Sequence, residues 1–183
     1  MPTEIEETVT STKRIYDGRI INLRLDTVLM PDGRMSQREI VEHRGAVAMV
    51  PLYPDQTVVL VRQYRRPAAS ALLEIPAGTC EAQEDIEITA RRELAEEVNL
   101  SAGRMVKLFH SYVAPGYSTE VIHTYLALDL VHAEGNTDED EFLEIIRMPL
   151  DEALGKITSG EIIDSKTISG LLFVARLLPT LNL

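Results

Sequence analysis

Tryptophan is absent from this chain, cysteine occurs once, and the aromatic residues together make up 5% of it. With Cys80 alone no internal disulfide can form, and without a basic neighbour or a paired histidine motif its thiol is a poor nucleophile. Few rings mean few places to stack a planar ligand, and upstream of Gly78 Tyr16 and Tyr64 are the choices. Positive charge is scarce too. Against 29 Asp and Glu stand 18 Lys and Arg, a formal charge of -11 at pH 7, which repels nucleic-acid backbones and anionic membrane surfaces. Long apolar runs are also missing: ISGLLFVARLLPTL, near the C-terminus, is interrupted by Arg176 and Pro179 and is too short to span a bilayer. The start, MPTEIEETVT, lacks the basic and then apolar run of a secretory signal, so a cytoplasmic location is expected. His43, His110, His123 and His132 show no i, i+4 or other close pairing, which leaves zinc ligation without support.

What the chain does have is enough apolar material, 45% of 183 residues, to bury one real core in one or at most two domains. Ile21, Leu23 and Leu25 alternate with polar residues, and the turn chemistry of MPDGR (30 to 34) joins them to a second extended run ending near His43: a β-hairpin. AVAMVPL (46 to 52) and TVVLVRQYR (57 to 65), joined by the turn YPDQ, are rich in β-branched residues and read as buried strands. Pro67, Pro76 and Gly78 punctuate a loop-rich stretch that leads to a helix at about 85 to 98. Strands near 105 to 113, 121 to 130 and at FLEIIRM follow, then a short helix from about Leu150 to Thr158 and an amphipathic one from about Ser165 to Leu178. The order is that of an α+β or mixed α/β fold. A composition shift near His43 divides an N-terminal strand region, 1–42, from the rest, 43–183.

The helix at 85 to 98 carries the chemistry. Ile86, Ala90, Leu94 and Val98 recur every four residues as an apolar stripe, while Glu93, Glu96 and Glu97 cluster on another face. Glu93 and Glu97 stand at the i, i+4 spacing, where like charges destabilise an isolated helix by a few tenths of a kcal/mol, about 0.2–0.5. One reading is a solvated acidic face. The other is a site for a hard divalent cation such as Mg²⁺, which takes oxygen ligands and couples one or two carboxylates to substrate phosphates.

The spacing favours the second. Gly78, five residues, Glu84, seven residues, Arg92-Glu93-Leu94, one residue, Glu96-Glu97, one residue and Asn99-Leu100 resembles the Nudix hydrolase signature at every fixed position but one. The departure is Asn99, where the family has Gly. Asn tolerates the left-handed conformation best after Gly, so an intact helix cap is expected. VRQYRRP (61 to 67), LEIPAG (73 to 78), YVAPGYSTE (112 to 120) and DEDEFLE (138 to 144), with Pro115 fifteen residues beyond Leu100, resemble the ADP-ribose pyrophosphatase subfamily.

The resemblance implies a Nudix fold, a mixed sheet between helices with an N-terminal antiparallel hairpin region, and metal-dependent hydrolysis of ADP-ribose or a related ADP-sugar. It implies Mg²⁺, with Mn²⁺ as a substitute, and a homodimer formed through the N-terminal region. Residue by residue, it places Glu93 and Glu97 on principal metal ligands, Glu96 on a ligand or helper, and the Ala77 backbone carbonyl within reach of metal. Arg92 and Glu84 match the pair that braces the motif, a role in which Arg92 also relieves repulsion among its acidic neighbours. Glu139 matches the general base and Glu141 a further metal contact, although a spacing of two residues leaves the assignment interchangeable. For substrate, Arg65 aligns with a phosphate contact. Strand alternation puts Arg62 on the opposite face, so both cannot serve equally. Arg44 is a weaker phosphate candidate, and Glu120 could accept hydrogen bonds from ribose. GDP-sugars, FAD and NADH are the alternative substrates, and a binding regulator without turnover is the alternative from another class.

Overall fold

The N-terminal run TVTSTKRIYD, which shows no clean alternation, is nonetheless a strand. A computed structural model describes residues 5–135 and 142–180, and in it β1 (Thr8–Asp17) is exposed along its whole length. It pairs antiparallel with β2 (Ile21–Leu29), and the register shifts between Val9 and Ser11 and again between Arg14 and Tyr16. Each shift breaks the period of two, so no alternation could announce the strand. The hairpin of β2 with β3 (Met35–His43) forms as expected, in register from Ile21↔His43 to Leu29↔Met35. Its turn is closed by Gly33 at φ 84, a left-handed value suited to glycine.

These three strands form one compact unit, residues up to Gly45, which also takes in the distant segment Ser111–Val121. That segment is tied to β3: Val41 N–H donates to Tyr117 O at 2.8 Å and Thr119 N–H to Val41 O at 2.9 Å. Inside the unit Asp26, 2% exposed, accepts from Arg24 Nε and the Thr12 hydroxyl.

The second unit carries β4 (Ala46–Pro51), β5 (Thr57–Arg65), β6 (Ser70–Glu74), β7 (Ala77–Thr79), α1 (Ile86–Val98), most of β8 (Leu100–Tyr112) and β9 (Val121–His132), then β10 (Leu143–Pro149), α2 (Leu150–Ser159) and α3 (Ser165–Leu177). Two sheets run in the orders β7-β4-β9-β8 and β10-β5-β6. The first is mixed, with β4 antiparallel to β7 and parallel to β9. The loop-rich stretch of the sequence thus contains β6 and β7, too short for periodicity to reveal, and β8 begins at Leu100, earlier than the pattern suggested.

Alternation along β4 and β5 explains the layers. Ala48, Val50, Val58 and Leu60 join one apolar cluster with Leu150 and Ala153 of α2 and Leu171 and Val174 of α3. Val47, Met49, Val59 and Val61 point the other way and join Ala90, Leu94 and Val98 of α1. Strands covered on both faces need continuous apolar runs, as AVAMVPL and TVVLVRQYR have. A fully buried leucine such as Leu94 contributes about 1.5–3 kcal/mol. This is the expected mixed α/β sandwich, with α1 alone on one side. Among the described residues no helix is long and apolar enough to cross a membrane.

Candidate active site

α1 begins at the N-cap Asp85, whose carboxylate accepts from Glu87 and Ile88 N–H at 2.9 and 3.3 Å. Ala90, Leu94 and Val98 anchor it in the core as the stripe predicted. It ends at Asn99, with φ 54 and ψ 42, whose N–H caps Ala95 O and Leu94 O. The departure from glycine therefore keeps a left-handed cap. It also adds a bond, since Asn99 Oδ1 accepts from Gly135 N–H at 3.3 Å.

The acidic face is only partly solvated. Glu97 is 4% exposed and its Oε2 accepts from Ala77 N–H at 2.9 Å. The Glu93 side chain is 14% exposed and fills the space beside Gly78 so closely that a Cβ there would land on its carboxylate. Glu93 and Glu97, one helical turn apart, thus reach adjacent residues of β7. A single guanidinium offsets the repulsion: Arg92 Nη1 lies 2.9 Å from Glu93 and 2.7 Å from Glu96, and its Nη2 lies 3.2 Å from Glu84. Burial would lower the Arg92 pKa, but the bonds to Glu84, with Glu93 and Glu96, more than offset it and hold the cation charged. Glu84 in turn is pulled below the ordinary carboxylate range by Arg92 and by the Thr89 hydroxyl. The bracing pair read from sequence is in contact.

These donors are all oxygen, which suits a hard cation. Among the described residues, no group of three or more His, Cys, Asp or Glu stands together as a metal cage. Mg²⁺ needs no such cage, because it keeps waters and combines one or two carboxylates with substrate phosphates. Two carboxylates of α1 held against β7 fit that requirement. Glu139 and Glu141 lie outside the described residues.

Arg65 is committed within the protein. Its Nε and Nη2 both donate at 2.8 Å to the carboxylate of Glu74, which is 1% exposed. Arg62 faces the other way, as alternation predicted, in a surface pair with Glu144 of β10 at 3.2 Å. With side chains 51% and 63% exposed, such a pair contributes little. Tyr64 is exposed. Tyr16, Arg44 and Glu120 belong to the first unit: Tyr16 is exposed on β1, Arg44 lines a cavity of about 290 Å³ with Arg19, Asn22 and His43, and Glu120 lies 3.8 Å from His43. Cys80 is buried, and burial, with Glu84 and Glu93, pushes its thiol pKa up, against nucleophilic use.

Sequence reasoning missed Glu74 and its second cation. Lys166 Nζ also bonds Glu74 and lies 3.1 Å from Asp164. Asp164 caps α3, accepting from Thr167 N–H at 3.0 Å, and the Thr167 hydroxyl accepts from Ile75 N–H at 2.9 Å. The only local signal was the cap-like DSKT at 164 to 167.

Comparison with known proteins agrees with this fold. Residues 42–169 match the NUDIX domain and residues 7–41 the nucleoside diphosphate sugar hydrolase N-terminal domain. The chain belongs to the Nudix family. It is 42% identical over 165 residues to the methanol dehydrogenase activator of Bacillus methanolicus, covering 89% of each chain. It is 38% identical over 165 residues to the ADP-ribose pyrophosphatase of Bacillus subtilis (strain 168), again covering 89% of each. A crystal structure of an ADP compounds hydrolase matches with a TM-score of 0.86 at 23% identity, covering 98% of both chains, and supports the fold.

Proposed function

We propose that the chain hydrolyses the pyrophosphate bond of ADP-ribose or a related ADP-sugar, giving AMP and a sugar phosphate, ribose 5-phosphate from ADP-ribose. The observation that carries this reading is the burial of Glu97 against Ala77 N–H with Glu93 packed on Gly78: one buried and one mostly covered carboxylate, a helical turn apart, have a use in binding a cation. Glu93, Glu97, Glu96, the Ala77 carbonyl and Glu141 would hold Mg²⁺, or Mn²⁺ in its place. A bound divalent ion neutralises phosphate charge and lowers the pKa of water.

The rest is work for the chain. Arg92, braced by Glu84, keeps Glu93 and Glu96 oriented. Arg65 binds a phosphate oxygen through the edge of its fork that faces away from Glu74, with Arg62 and Arg44 as lesser contacts. Tyr16 or Tyr64 stacks on the adenine, and Glu120 accepts from ribose. Glu139, or Glu141 two residues on, takes the proton of the attacking water as the new P–O bond forms and the bridging P–O bond breaks, leaving its electron pair on the departing phosphate. The N-terminal strand region, 1–42, is the dimer contact of a cytoplasmic homodimer, and 43–183 is the hydrolase domain. Exposed Val9, Ile15, Tyr16 and Ile20 support the dimer.

A second reading, a nucleotide-sugar-binding regulator, is favoured by the similarity to a protein named as a dehydrogenase activator. Mass spectrometry of products distinguishes the two. The purified chain with Mg²⁺ or EDTA is incubated separately with ADP-ribose, ADP-glucose, GDP-mannose, FAD and NADH. AMP and ribose 5-phosphate formed fastest from ADP-ribose, and only with metal, is the expected result. Turnover of another compound moves the substrate, and binding without turnover in both Mg²⁺ and Mn²⁺ establishes the regulator.

A further inference from the structure

Glu74 is a buried carboxylate shared by two cations, one 9 and the other 92 positions away in the chain. Arg65, at the end of β5, occupies both its oxygens, and Lys166, in the first turn of α3, adds a bond to Oε2. Lys166 is itself nearly covered, with 12% of its side chain exposed, so it is poorly placed to meet a ligand directly. Arg65 is 37% exposed and near enough to Glu97 and Asp164 for both to act on its charge, after Glu74. A guanidinium is planar and carries five N–H donors in a fixed fork. When Nε and Nη2 bind one carboxylate, Nη1 is directed away from it. The direction of that other edge follows from where the Glu74 carboxylate is held.

We propose that Lys166 is a positioning residue for substrate binding: by bonding Glu74 and Asp164 together it fixes the carboxylate that aims Arg65 at a phosphate oxygen. The proposal rests on the hydrolase reading for the identity of the anion, not for the geometry. A chain of four bonds leads to the same place. Lys166 joins Glu74 to Asp164, Asp164 caps Thr167, and Thr167 holds Ile75, the residue after Glu74. Ala77, two residues further, is held by Glu97. The segment from Glu74 to Ala77 is thus clamped between α3 and α1, and Lys166 is the member of the α3 clamp that touches the carboxylate itself.

A lysine that only stabilised the fold would change the melting temperature and leave affinity alone. The test compares Lys166→Met, Lys166→Gln and Lys166→Arg by thermal melting, by kcat and KM for ADP-ribose, and by calorimetric binding of inorganic pyrophosphate to the folded protein. Expected is a rise of about tenfold in KM and in the pyrophosphate Kd for Met, equivalent to about 1.4 kcal/mol. A change in kcat smaller than that in KM, an intermediate effect for Gln and recovery with Arg are expected alongside. Unchanged KM and Kd in a folded Met or Gln variant overturn the proposal, as does a fall in kcat alone. Unfolding of both Met and Gln variants makes Lys166 structural and overturns it too. If the native protein turns over none of the sugar nucleotides, the hydrolase reading fails, while pyrophosphate binding still decides the role of Lys166.

Discussion

Ala77 donates its backbone N–H to Oε2 of Glu97 at 2.9 Å, so an acid on the helix and the strand that opens the signature are fixed to each other. The bond ties α1 to β7, the edge strand of its sheet. It also gives a buried carboxylate one of the partners that burial requires.

Glu97→Gln tests whether that carboxylate serves a cation. The amide keeps an oxygen for Ala77 N–H but loses the charge. The fold is expected to survive by circular dichroism, while metal-dependent kcat falls by at least ~100-fold, the upper range for losing even an outer-shell partner. Full activity in this variant would remove Glu97 from the ligand set.

Gly78→Ala puts a methyl group where the Glu93 carboxylate now sits. Overpacking of this kind costs about 1–3 kcal/mol unless the neighbour moves. The expected outcome is a higher Mg²⁺ requirement in titrations of activity, together with a lower urea midpoint. An unchanged Mg²⁺ requirement would show that the position of Glu93 is immaterial to metal.

Arg92→Met withdraws the cation shared by Glu84, Glu93 and Glu96. Without metal the melting temperature should fall. Added Mg²⁺ should then raise it by more than in the native chain, because a ligand that binds only the folded state stabilises by mass action. Equal metal increments in the two proteins would contradict this.

Asn99→Ala and Asn99→Gly separate backbone from side chain at the helix end. At φ 54 an alanine costs about 1–2 kcal/mol. Glycine accepts the conformation but loses the bond to Gly135, so it should stay within about 1 kcal/mol of the native protein. Urea denaturation of both variants measures the difference, and equal loss in the two would locate the effect in the side chain.

The pH dependence follows from Glu74. Burial raises its carboxyl, but the bonds from Arg65 and the charge and bond of Lys166 outweigh it and leave the group lowered. A lowered folded-state pKa contributes stability above the unfolded value, about 4.3 for Glu, and that contribution is lost as pH falls toward the folded value. Glu74→Gln should therefore lower stability at neutral pH and flatten its decline below about pH 4.3. Parallel declines in urea midpoint would exclude Glu74 as a contributor.

The helix and its apolar stripe were legible because a period of 3.6 and a set of fixed spacings lie within 23 consecutive residues, 78 to 100. The cap at Asn99 was legible from the glycine that the resembling signature has there and from the tolerance of Asn for the left-handed conformation. β1 was hidden by two register shifts and complete exposure, and β6 and β7 by their length. The burial of Glu97 could not be read from a charged residue, whose ordinary place is the surface. Glu74 and Lys166 lie 92 positions apart, and nothing local links them. Ala77 has no polar side chain, so its part in the site came by resemblance and its hydrogen bond only from the fold.

The bond between Ile75 N–H and the Thr167 hydroxyl also spans 92 positions. On the ribosome, all 23 residues from 78 to 100 are made before Thr167 exists, 67 residues beyond Leu100. Closing so long a loop is among the slow contacts of folding. A nascent chain therefore carries the 78 to 100 stretch early but can clamp the 74 to 77 segment only once α3 is made.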